Sequence, residues 1–148
     1  MKRLMLLSMA LAGLALPAHA AGPDLVSDFD VGSGTVIVKN TGTAPAGRSI
    51  VTVTCKRLRP PVVGGGGGCP EIPASFRMNY TNPAFPNGIF VNVGALAPGA
   101  TFTHTLPFYR GLVFASGTYE FVSRADASLM VGETNEGNNQ TVRTRVAP

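Results

Sequence analysis

Tryptophan is missing from this 148-residue chain, and histidine and cysteine occur only twice each. One histidine, His19, sits in an N-terminal stretch with the marks of a leader, so His104 is the one imidazole left after cleavage. A single histidine excludes a blue-copper centre, which needs two together with a cysteine. No G-x-S-x-G turn and no other recognisable nucleophile setting supports a Ser-His-Asp hydrolase. The five consecutive glycines Gly64 to Gly68 lack a following G-K-[ST] and helix, which excludes a phosphate-binding loop. Charged residues make up only 14% of the chain. Once Lys2 and Arg3 are removed, ten basic residues face eight acidic ones, with no clustered basic stripe for nucleic acid. No catalytic role is expected.

Long apolar runs are also lacking, apart from Leu4 to Leu16. That run follows Lys2-Arg3 and ends at Ala18-His19-Ala20, the pattern of a secretory signal peptide with an A-x-A cleavage site. It falls short of the roughly 20 apolar residues that span a bilayer. Residues 1–20 are therefore expected to be a signal peptide and 21–148 a secreted or periplasmic domain without a membrane insertion. That length fits one domain with a real core. In an exported chain Cys55 and Cys69 are expected to form a disulfide. Closing a loop of about 15 residues stabilises by about 3 kcal/mol in the chain-entropy model.

The dominant pattern is a period of two. Thr35 to Lys39, Ser49 to Cys55, Ile89 to Val93, Thr101 to Leu106, Gly117 to Asp126 and Gln140 to Val146 all alternate, and Leu25 to Phe29 opens the domain. No stretch outside the leader keeps a 3.6-residue period over 11 or more residues. Short β-branched runs separated by Gly, Pro and Asn predict an all-β, antiparallel sandwich of about seven strands. In the last strand, Val142 and Val146 oppose Arg143 and Arg145, which reads as an apolar face against a charged one. Tyr119, at the start of the penultimate strand, is expected to hydrogen-bond back to a loop. His104 alternates with Phe102 and Leu106 and reads as a half-buried strand residue.

Residues from about 57 to 87 break this rhythm with the polyglycine, six prolines and Cys69, and read as a disulfide-stapled insert. A short strand over Phe76 to Tyr80 is expected inside it, with Phe76, Met78 and Tyr80 on one face. Tyr80, Phe85, Phe108, Tyr109 and Arg110 are the aromatic and cationic residues that interfaces favour, and they are the expected partner contacts. The partner would be a protein or a cell-surface polysaccharide.

The segment ADASLMVGETNEGNN, residues 125–139, brings together Asp126, Glu133, Asn135 and Glu136. Their oxygens could supply a calcium site. The EF-hand pattern is broken by Met130 and Val131, and Asn and Asp also bond their own backbone in turns. The preferred reading is a structural turn without a cofactor, with Leu129 and Val131 packing beneath it.

Pro23-Asp24-Leu25-Val26, then Lys39-Asn40-Thr41-Gly42, Leu96-Ala97-Pro98-Gly99-Ala100, Gly117-Thr118-Tyr119 and the E-x-N-E-x-N-N ending occur in that order. This succession resembles the CARDB family, the cell adhesion related domain found in bacteria, over about residues 23–146. The resemblance implies a seven-stranded immunoglobulin-like or fibronectin-III-like sandwich. The insert and its cysteines depart from that pattern, and the family carries no agreed activity. The expected role is a non-catalytic binding, adhesion or scaffolding module. The alternatives are a calcium-assisted adhesion module and a non-catalytic subunit of a secreted enzyme.

Overall fold

The computed structural model describes residues 21–60, 68–85 and 88–148. The leader, residues 61–67 and residues 86–87 lie outside the described residues, so the signal peptide and most of the polyglycine do too. Seven strands form: β1 (Leu25–Asp30), β2 (Thr35–Asn40), β3 (Ser49–Arg59), β4 (Gly88–Val93), β5 (Thr101–Thr105), β6 (Gly117–Arg124) and β7 (Gln140–Ala147). They build two antiparallel sheets with orders β1-β2-β5 and β4-β3-β6-β7. The fold is the expected all-β sandwich.

Alternation selects what each sheet buries. Leu25, Phe29, Val36 and Val38 point inward from the first sheet, and Val51, Val53, Tyr119 and Phe121 from the second. Burying one such side chain contributes about 1.5–3 kcal/mol, so these two inner faces are the main stabilising term. β1 lies over β6 and β7, which leaves β4 and β5 as edges on the opposite side of the sandwich.

The K-N-T-G turn has a clear physical cause. Asn40 is fully buried, and its Nδ2 donates to the carbonyls of Ala44 and Leu96 at 2.9 and 3.0 Å. Its Oδ1 accepts from the N–H groups of Asp24 and Gly42. One amide thereby satisfies backbone groups of three segments that no ladder serves. Tyr119 behaves as expected: its buried hydroxyl donates to the Ala115 carbonyl at 2.8 Å.

Two expectations need correction. Phe76 to Tyr80 is not a strand but lies in a seven-residue helix, α1 (Ala74–Tyr80). Helical spacing puts Phe76 and Tyr80 on one side, while Met78 points away and is 90% exposed. In β7 the valines and arginines take opposite faces as expected, with Arg145 bonded to the Val31 carbonyl on the inner side, Arg143 exposed and paired with Asp28, and Val142 and Val146 facing solvent. In the β6–β7 connection Val131 is buried as expected, but Leu129 is exposed.

Candidate binding surface

The β6–β7 connection is a hydrogen-bonded clasp on the start of β1. Asp126 is fully buried, and its carboxylate accepts from the N–H groups of Met130 and Val131 at 3.0 and 2.8 Å. Glu133 accepts from the Leu25 N–H and, through Oε1, from Asn139 Nδ2 at 2.9 Å. Glu136 accepts from the Glu133 N–H and, at 3.3 Å, from the same Asn139 amide. Asn138 Nδ2 donates to Asp24. Burial, followed by the neighbouring carboxylates of Glu136 and Asp126, holds Glu133 above its usual value despite the opposing Leu25 bond.

Of the four expected oxygen donors, Glu133 and Glu136 come together on Asn139. Asp126 is committed to its own loop, and Asn135 Oδ1 accepts the Gly137 N–H in a local turn. Among the described residues no group of three or more His, Cys, Asp or Glu side chains converges as a metal-ligand set. Asn138 and Asn139 each have a buried Oδ1 without a hydrogen-bond partner.

The expected partner contacts separate into two kinds. Phe108 and Tyr109 are 4% and 2% exposed, so they belong to the core and present no surface to a partner. Tyr109 donates to the Val31 carbonyl at 2.8 Å and packs edge-on against Phe29. Tyr80 and Phe85 are half-buried, and Arg110 is exposed. Tyr80 packs on Phe108 at 5.2 Å and shares a 2.9 Å hydrogen bond with His104 Nε2 on β5. Phe76 also packs on Phe108, and α1 touches β4. The insert therefore bridges the β4 and β5 edges and closes that side of the sandwich. Cys55 and Cys69 are joined, with Cα atoms 6.1 Å apart, which ties the returning insert to β3.

The outer face of the four-stranded sheet is the surface that sequence reasoning missed. The ladder places Thr54, Val122 and Val142 in one row across β3, β6 and β7, and Thr118 beside Val146 in another. Val142 and Val146 are 47% and 76% exposed. On the inner side, Arg145 lies 4.3 Å from the Phe114 ring centre and donates to the Val31 carbonyl and the Tyr109 hydroxyl, both at 3.1 Å. Arg143 pairs with Asp28 at 2.7 Å. These bonds fix the register of β7 and leave its valines outside. The signal was the T-V-R-T-R-V alternation itself, which marks two faces without saying which one is buried.

No family model matches the chain, and no curated protein matches it. Among solved structures it is similar to a CARDB domain from Pyrococcus furiosus, crystallised in complex with di-metal ions. Identity is 18% and the TM-score 0.47, over 85% of this chain and 94% of that one.

Proposed function

We propose that this chain is an exported, non-catalytic binding module of the adhesion or scaffolding kind, docking its partner through the outer face of the four-stranded sheet. The observation that carries this reading is the orientation of β7. Its two valines face water while Arg145 is directed inward to a carbonyl and an aromatic ring, and the exposed Arg143 pairs with Asp28 on β1. An edge strand ordinarily keeps charge outside and apolar residues inside. Exposed β-branched residues in line with Thr54, Val122 and Thr118 make a flat surface suited to a protein or a polysaccharide. The leader pattern and the stapled insert fit an exported setting.

The test compares the immobilised wild-type protein with Val142→Lys/Val146→Lys and with Met78→Lys, exposed to intact cells and to the native exported fraction. The double variant is expected to lose at least tenfold of the retained partner, and Met78→Lys to retain it. If the double variant holds everything the wild type holds, this face is not the docking surface.

One observation favours the calcium-assisted form. The unpartnered Oδ1 atoms of Asn138 and Asn139 sit in a clasp that also contains Asp24, Glu133 and Glu136. Calcium takes oxygens of this kind. A thermal melt that is identical in chelator and in millimolar calcium rejects this form.

A further inference from the structure

We infer that a cavity at one end of the four-stranded sheet is a binding site for a carboxylate carried on a short apolar body. The cavity, about 440 Å³, lies where the start of β3, the end of β4 and the β6–β7 connection meet. Ile50, Val93 and Met130 give it an apolar wall, while Arg48, Ser49 and Asn92 supply polar groups. This volume is within the range of small-ligand sites, which combine apolar lining with a few polar anchors.

The loop that forms one wall is held in shape by burial of Val131 and by hydrogen bonds to the buried Asp126 carboxylate. Asp126 and Leu129 are non-glycine residues in the left-handed region, with φ of 39° and 53°. L-residues rarely adopt this conformation, and it persists only where surrounding bonds impose it. Here the buried Asp126 carboxylate accepts from Met130 and Val131, and the Ala127 N–H donates to the Ile50 carbonyl at 2.8 Å. The loop is thereby pinned to β3, with Met130 at the cavity and both Leu129 and Met130 more than 60% exposed. The fixed loop thus keeps the exposed Met130 side chain in the cavity wall.

Charge selects the ligand. Arg48 is exposed and forms no ion pair among the described residues, and no carboxylate lines the cavity. A lining with one guanidinium and one side-chain amide suits the single charge and planar shape of a carboxylate. The apolar wall then takes the group next to the carboxylate. The carboxylate can come from the end of a peptide chain as well as from a free acid, since both carry the same group. This inference does not rest on the outer-face docking proposed above.

The experiment is an NMR titration of the full chain with N-acetyl-Ala-Ala-Leu, the same peptide as its C-terminal amide, and hexanoate. At least one of the two acids is expected to shift the Met130 methyl and the Asn92 side-chain amide and to saturate in the millimolar range. The amide is expected to bind roughly tenfold or more weakly, as loss of a charge-assisted bond implies. Arg48→Gln should weaken the acid by a similar factor without changing the melt, and the uncharged Met130→Ser should weaken it through the apolar wall. Binding of the peptide acid alone assigns a chain terminus as the source, and binding of hexanoate as well assigns the free carboxylate. The inference is overturned if the amide binds as well as the acid, if Arg48→Gln binds unchanged, or if neither acid shifts these groups at about 20 mM. Val142→Lys/Val146→Lys should leave the titration unaltered, so the two proposals fail separately.

Discussion

Two carboxylates set opposite acid responses. Glu133 has a raised value in the folded chain, chiefly through burial. Folding therefore favours its protonated form, and its contribution is present below the unfolded value of 4.5 and lost as pH rises through the folded value. Asp28 is the reverse case. The Arg143 side-chain bond lowers its value, so its contribution is present above 3.8 and lost as pH falls through the folded value. We predict that Glu133→Gln gains on the wild type as pH climbs from about 4 toward neutrality, and that the deficit of Asp28→Asn shrinks as pH drops toward about 3. Thermal melts over that range check both, and the two differences must trend in opposite senses. The sequence singled out Glu133 because it sits in a dense polar turn. Nothing local marked Asp28, whose partner lies 115 residues away.

Strands were legible as elements because alternation is a local property and each strand had one face to bury. The insert was not, for a reason visible in its residues. Phe76, Met78 and Tyr80 alternate like a strand, yet Phe76 and Tyr80 are also four apart, which is one helical turn. Over seven residues both periods fit, and the choice was made by Phe108, a long-range partner against which both rings pack. The carboxyl-terminal part of the insert is anchored by those rings and its amino-terminal part by the disulfide. Cys55→Ser/Cys69→Ser is predicted to lose about 3 kcal/mol of stability, read from denaturant unfolding. Amide exchange should quicken across residues 70–80 and stay slow in β1 and β2. Equal quickening in both regions would mean that the staple supports the whole sandwich and not the insert.

At the scale of the whole molecule, the question left open by the sequence was which side of each alternating strand faces the core. Apolar side chains gave the right answer for β1, β2, β3 and β6. In β7 the rule failed, because Arg145 finds the Val31 carbonyl, the Tyr109 hydroxyl and the Phe114 ring on the inner side. A cation over an aromatic contributes about 0.5–2 kcal/mol, and each hydrogen bond about 0.5–1.5 kcal/mol. At an edge position those terms outweigh the partial burial of two valines. Arg145→Ala is therefore predicted to destabilise by roughly 1–3 kcal/mol, through lost stacking and lost hydrogen bonds. Val142→Lys/Val146→Lys should stay within about 0.5 kcal/mol of the wild type, as exposed substitutions do. Urea midpoints rank the two variants directly. That order is the reverse of what residue polarity alone predicts for a strand, so the comparison also tests the register. If the lysine pair cost more than Arg145→Ala, β7 would pair with β6 one residue out of step, with its valines inside.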